Sequence, residues 1–232
     1  MVGSLCIVGG KLQGLEAAYL AKKAGYKTVL IDRRREVPAT YLVDEVYTLD
    51  VAKDREEVKR VIGKTDAVLP ALEDIQALYC LEKTCRSTGI PYMQDNQAFD
   101  VTSDKLKSRE LFQKLGIPHP KPWPETGFPV VVKPVHKSGS TAVWRVDSEG
   151  SLSQAVSSVL EVDSDYLIQE FVEGLPLSLE LLRKGGNVQP LQLTGLEFDE
   201  HYGCKRVVAP CVVSSSLEDE VGSIGRKIAE EL

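Results

Sequence analysis

Short apolar runs alternating with stretches of helical spacing constrain the first third of this chain more than any other feature. Leu5-Cys6-Ile7-Val8 reads as a buried strand, and residues 12–24 follow with Leu12, Leu15, Tyr19 and the stem of Lys22 on one helical face. Thr28-Val29-Leu30-Ile31 is the next strand, ending at Asp32. The pattern then repeats: strand 45–49, helix 55–62, strand 67–70, helix 75–86. Strands separated by helices of this length require crossovers, which predicts βαβ units and a mainly parallel sheet over a domain of residues 1–91.

The rest of the chain follows a different plan. Ser103 is placed to cap a helix over 104–115, packed through Leu106, Leu111, Phe112 and Leu115 and ended by Gly116 and Pro118. Prolines at 118, 120, 122 and 124 interrupt regular structure, so residues 92–124 read as a linker and helix. Residues 125–174 predict a small α+β unit: strand 129–133, a turn at 137–141, a returning strand 142–146, helix 151–160 and strand 166–172. In residues 175–232, strands 177–182 and 188–193 flank Gly185-Gly186, a further strand covers 206–209, and Leu217, Val221, Ile224 and Ile228 recur at helical spacing over 217–232.

Composition narrows the functional classes. Thirty-four acidic against 28 basic residues give a net charge of −6, which supports neither a general nucleic-acid surface nor an anionic-membrane surface. No apolar stretch approaches the roughly 18 residues of a bilayer span, and the run at 5–8 leads into a glycine turn rather than a cleavage site. A cytoplasmic location is expected. Five cysteines without a CxxC spacing imply reduced thiols, and scattered His119, His136 and His201 offer no zinc cluster.

Several segments can carry chemistry, each with a plainer alternative. Gly9-Gly10-Lys11-Leu12-Gln13-Gly14 joins strand to helix and turns helix N–H groups toward an anion, although it lacks the GxGxxG pattern and serves equally as a tight packing turn. Asp32 at a strand end can meet a ribose hydroxyl or an ammonium, and strand-end acids are common. Lys133 follows Val130-Val131-Val132, so a packed stem can deliver a compact charge to phosphate, or its head can simply reach solvent. The turn His136-Lys137-Ser138-Gly139-Ser140-Thr141 can curl backbone N–H groups around phosphate oxygens, which turns the hairpin into a flap. Lys105 sits in a first helical turn, where the helix field disfavours it; a phosphate or adenine contact explains that, as does a surface position. Gln169-Glu170-Phe171-Val172-Glu173-Gly174 forms an extended hinge able to read adenine through its main chain, or a charged strand end before a turn. Lys205-Arg206 can hold a carboxylate or phosphoryl group, or belong to a solvated strand. Cys204 and Cys211 have no partner base at a readable spacing.

The order of these segments resembles the ATP-grasp superfamily of carboxylate–amine ligases. The opening Cys6-Ile-Val-Gly-Gly-Lys-Leu-Gln-Gly-Leu-Glu-Ala-Ala-Tyr-Leu-Ala-Lys-Lys-Ala-Gly25 and Gly203-Cys-Lys-Arg-Val207 are similar to its pyrrolysine-biosynthesis ligases. The resemblance runs along essentially the whole chain. It implies a mixed α/β and α+β fold, with a Rossmann-like domain ahead of an ATP-grasp region whose final portion is missing. It further implies ATP and Mg2+ as cofactors, L-lysine and 3-methyl-D-ornithine as substrates joined through an acyl-phosphate, and room for a homodimer; nucleic acid and membrane partners are not implied. Carried over, Lys105 and Lys133 contact the nucleotide, Ser138, Gly139, Ser140 and Thr141 form the phosphate flap, and Gln169, Glu170 and Val172 meet adenine. Gly10, Lys11, Leu12 and Gln13 join the cofactor-binding set, while Glu180, Lys205 and Arg206 take the catalytic places. Pro176 departs from the polar residue that many relatives use for ribose. The family continues past the 217–232 helix into strands that carry its magnesium ligands, so the resemblance implies no metal ligand within these residues and little ligase activity for the chain alone. Another ATP-grasp ligase and a catalytically silent nucleotide- or amino-acid-binding module remain the alternatives; a dehydrogenase fits the glycine pattern poorly.

Overall fold

A computed structural model describes residues 3–232, which fall into two compact units, the first ending at Asn96 and the second running from Gln97 to Leu232.

The first unit is one parallel sheet covered on both faces. Strands β1 (Ser4–Val8), β2 (Lys27–Asp32), β3 (Glu45–Thr48) and β4 (Ala67–Pro70) lie in the order β3-β2-β1-β4, every pairing parallel. Helices α1 (Leu12–Lys23), α2 (Arg55–Ile62) and α3 (Ile75–Thr88) make the crossovers, with a 3₁₀ turn at Pro38–Tyr41. Alternation along each strand divides the core. Cys6, Val8, Val29, Ile31 and Val68 pack with Val58, Ile62 and Leu81 of α2 and α3, while Ile7 and Leu30 pack with Ala18 of α1. Ile7, Leu30, Ile31, Ile62, Leu78 and Leu81 are each less than 2% exposed, and burial of each contributes about 1.5–3 kcal/mol.

Helix α1 corrects one expectation. Its buried residues are Gly14, Ala18 and Ala21, while Leu12 is 68% and Tyr19 56% exposed. The helix begins so close over the glycine turn that a Cβ on Gly14 would lie 1.9 Å from the Gly9 carbonyl oxygen. Small residues must therefore face the sheet, and the large apolar ones turn outward.

Helix α4 (Asn96–Thr102), an element that the sequence pattern missed, begins at the last residue of the first unit and runs into the second, where α5 (Lys105–Leu115) follows. Asp104, not Ser103, caps α5: its Oδ1 accepts from the N–H groups of Leu106 (2.8 Å) and Lys107 (3.2 Å). Gly116 ends the helix in the left-handed region at φ 64°. No residue of α5 is fully buried, so its apolar face is only partly covered.

Two antiparallel three-stranded sheets follow. Strands β5 (Val130–Pro134), β6 (Trp144–Val146) and β7 (Tyr166–Glu170) form the order β6-β5-β7, with α6 (Leu152–Leu160) packed on one face through Val130, Val132, Val146, Ala155 and Val159. The hairpin of β8 (Leu177–Lys184) and β9 (Asn187–Phe198), with β10 (Cys204–Val208), makes the second sheet in the order β10-β9-β8. Helix α7 (Ser215–Glu231) is capped by the Ser214 hydroxyl and packs so closely that a Cβ on Gly225 would lie 2.6 Å from Leu179 Cδ2. Among the described residues no helix is long and apolar enough to cross a membrane.

Candidate functional site

Strand β5 places the first functional side chain. Val130 and Val132 point into the core beneath α6, so strand alternation sends Val131 and Lys133 to the opposite face. Lys133 is half-buried there, and burial pushes its pKa down from the ordinary 10.5; the nearby charge of Lys105 pushes it down further. No carboxylate is among the influences on it. Lys105, at the first residue of α5, is also lowered by burial, against the opposing charges of Asp163 and Asp104. Its Nζ donates to the carbonyl oxygens of Lys137 (2.6 Å) and Val135 (3.3 Å), where the chain leaves β5. The charge of one ammonium is thus felt by the other, and the chain supplies Lys133 with no ion-pair partner among the described residues.

The turn between β5 and β6 is built largely on left-handed backbone. Gly139 (φ 64°), Ser140 (φ 58°) and Ala142 (φ 51°) all lie in the left-handed region, which non-glycine residues seldom occupy. Gly139 and Ser140 are consecutive in that region, and Ala142 follows after Thr141. Thr141 Oγ1 donates to the Ser138 carbonyl at 3.0 Å and steadies the curl. Ser140 Oγ donates at 2.6 Å to the carbonyl of Tyr202, in the loop between β9 and β10, so the turn is tied to the second sheet.

The hinge after β7 is held from both sides. Trp123 N–H donates to the Ile168 carbonyl (3.2 Å) and Glu170 N–H to the Lys121 carbonyl (2.8 Å), making residues 121–123 an edge beside β7. Glu170 therefore has its N–H already engaged, and its Oε2 accepts from Lys121 N–H at 3.2 Å. Gln169 is half-buried, bridged to Pro122, and Val172 is 62% exposed. Phe171 lies under the Arg145 guanidinium, 4.3 Å from ring centroid to Cζ, and 6.5 Å from the Tyr202 ring.

On the second sheet, Glu180 is exposed on β8 opposite Gln192, and Lys205 is exposed on β10. Arg206 grips Glu197 of β9 with two bonds, Nε to Oε2 at 2.9 Å and Nη2 to Oε1 at 2.5 Å. Its hydrogen bonds and charge lower the Glu197 pKa.

Gly10, Lys11, Leu12 and Gln13 lie instead in the first unit, in a cleft of about 880 Å³ at the carboxyl ends of its strands. Gly9 makes the turn at φ 99°, and a Cβ there would meet the Ala71 carbonyl oxygen at 2.5 Å. Asp32 is spent on the chain itself. It accepts from Gly10 N–H (2.8 Å), Arg34 N–H (2.8 Å) and the Arg34 guanidinium (3.1 Å), and although burial opposes ionisation these bonds bring its pKa down.

Sequence reasoning passed over Asp104, Asp163, Arg145 and Tyr202. Only Asp104 carried a local signal, as a capping residue type beside Ser103; the others reach the site through topology. His136, Asp163 and Asp165 hold potential metal-ligand atoms within 4.8 Å of one another. However, Asp163 already accepts from His136 and from the Asp165 N–H, so nothing in this cluster is assigned to magnesium.

A parallel βαβ unit followed by two antiparallel sheets with flanking helices defines a mixed α/β protein. The model of the ATP-grasp domain matches residues 102–219, half of the chain, and the chain belongs to the ATP-grasp family. It is 34% identical over 204 residues to the 3-methyl-D-ornithine–L-lysine ligase of Methanosarcina barkeri, covering 88% of this chain and 54% of that protein. The same ligase from Methanosarcina mazei is 31% identical over 216 residues, covering 93% and 56%. The chain thus spans about half the length of the curated relatives it matches. Among solved structures, the ADP complex of an N5-carboxyaminoimidazole ribonucleotide synthetase superposes with a TM-score of 0.82 at 18% identity, covering 100% of this chain and 64% of that one. At that identity the likeness concerns the fold.

Proposed function

We propose that this chain binds ATP beneath the 138–141 flap and forms the nucleotide-binding part of a ligase that joins 3-methyl-D-ornithine to the ε-amine of L-lysine. The observation that carries the reading is the pair of half-buried ammoniums, Lys105 and Lys133, without a carboxylate partner for Lys133, with Lys105 bonded to the Val135 and Lys137 carbonyls at the root of a turn of left-handed backbone. A polyphosphate supplies the missing negative charge, and the low local dielectric strengthens that attraction. In this reading Ser138, Gly139, Ser140 and Thr141 cover the phosphates. Gln169, Glu170 and Val172 border adenine, with Glu170 contributing its carbonyl because its N–H is already donated. The substrate assignment draws on the names of the Methanosarcina relatives.

The chemistry explains why a nucleotide is needed. A carboxylate resists attack by an amine because an oxide would have to leave. Transfer of the γ-phosphoryl group to the carboxylate oxygen releases ADP and creates an acyl-phosphate. The lysine ε-amine, having lost one proton, then attacks the acyl carbon, and inorganic phosphate departs. Magnesium, when bound with ATP, would neutralise phosphate charge. Glu180 is proposed to face the substrates, and Lys205 and Arg206 the acyl-phosphate; Arg206 reaches it by exchanging Glu197 for the stronger anion. Gly10, Lys11, Leu12 and Gln13 are proposed to bind ligand in the first-unit cleft. Residues 1–91, 92–124, 125–174 and 175–232 are the proposed functional divisions, in a protein proposed to be cytoplasmic and to form a homodimer.

Titration calorimetry of the 232-residue chain with ATP and magnesium tests the central reading. Lys133→Met should weaken ATP binding at least tenfold, about 1.4 kcal/mol or more. Equal affinity in wild type and variant, or no binding by either, would overturn it. Product mass after incubation with ATP, magnesium, L-lysine and 3-methyl-D-ornithine, compared between this chain and one extended through the family's later strands, tests the substrates separately.

A further inference from the structure

The root of the flap is held by a network that the nucleotide reading does not by itself require. Lys105 grips residues 135 and 137 through its backbone N–H and its ammonium. Between these two residues, His136 donates its backbone N–H to Asp163 Oδ2 at 2.8 Å, and its ring Nδ1 lies 3.2 Å from Asp163 Oδ1. On the other side of the ring, Nε2 lies 3.7 Å from Asp104 Oδ2. Asp104 spends its other oxygen on capping α5. The Asp163 side chain is only 5% exposed and the Asp104 side chain 19%. Both carboxylates also act on Lys105.

We infer that His136 is a positioning residue for the flap and for Lys105, an inference that rests on the nucleotide reading above. The imidazole engages Asp163 and stands between the two carboxylates and the cation beside them, so that neither acid turns to that cation. Without the ring, Asp163 keeps only the backbone N–H groups of His136 and Asp165 as donors, and Asp104 loses the group facing its second oxygen. The Lys105 ammonium is then drawn from the Val135 and Lys137 carbonyls toward these acids. That movement loosens the flap root and neutralises one of the two charges offered to phosphate. The effect should fall on phosphate recognition and leave recognition of the base unchanged, because the network touches neither the hinge nor Phe171.

The test uses the full chain and calorimetry with ATP and with adenosine, which lacks the phosphates. His136→Ala should weaken ATP at least tenfold while leaving adenosine affinity within about twofold of wild type. His136→Asn, whose amide nitrogen can stand near the Nδ1 position and donate to Asp163, should recover ATP affinity to within about threefold, whereas His136→Gln should recover less. The inference is overturned if wild type binds ATP and the alanine variant binds it equally, if ATP and adenosine weaken together, or if asparagine does no better than alanine or glutamine. Should the alanine variant fail to fold, the asparagine–glutamine comparison decides in the same way. Absence of ATP binding by wild type removes the nucleotide reading and this inference with it.

Discussion

Lys133 shows how one residue links stability to binding. Burial, reinforced by the charge of Lys105, holds its pKa below the ordinary 10.5, so the unfolded chain takes up this proton more readily than the folded one. This group therefore makes stability rise as pH climbs through the window between its lowered folded value and 10.5, and fall again as pH drops through the folded value. Urea melts at intervals above neutral pH should show that rise in wild type, and Lys133→Met should flatten it; parallel curves would contradict the assignment. A bound polyphosphate favours the charged lysine, so ATP should diminish the same rise. Lys133 was readable from the sequence because three valines and strand alternation fix its face. His136, Asp163 and Asp104 were not, since residues 27 and 32 positions apart meet only once α5 and β7 flank the same strand end. The Arg206–Glu197 pair likewise depends on a register that shifts between Cys204 and Arg206.

Among the elements, α1 and α7 give opposite answers to the same substitution. Replacing a helical glycine by alanine normally gains up to about 1 kcal/mol from backbone entropy. At Gly222 of α7 the new Cβ would meet only the Arg226 guanidinium, at 3.7 Å, so Gly222→Ala should stabilise the protein by about 0.5–1 kcal/mol. At Gly14 of α1 the Cβ would collide with the Gly9 carbonyl oxygen, so Gly14→Ala should cost a net amount of about 2 kcal/mol or more. Denaturant midpoints measured on both variants check the pair, and a stabilised Gly14→Ala would contradict the packing of α1. The same helix marks a limit of pattern reading. Periodicity found the element because helical spacing is a local property, but it favoured Leu12 and Tyr19 for the core over Gly14, Ala18 and Ala21. Apolar size decides such a count, whereas the distance between helix and sheet decides the packing. Helices α2 and α3 posed no such conflict, because their large apolar residues fit the space above β1 and β4.

For the whole molecule, the parallel first unit and the flap-bearing second unit follow from two different sequence rhythms, the βαβ alternation before Asn96 and the hairpins after Gln97. The proposed function depends on a single arrangement in the second unit, two neighbouring ammoniums and a curled turn whose root Lys105 holds. A crystal structure of the chain with a non-hydrolysable ATP analogue and magnesium tests that arrangement most directly. The account predicts phosphate oxygens within about 3 Å of both Lys105 Nζ and Lys133 Nζ, with backbone N–H groups of residues 138–141 closing over them. A bound analogue whose phosphates lie away from both lysines, or an empty site at saturating analogue, would contradict it.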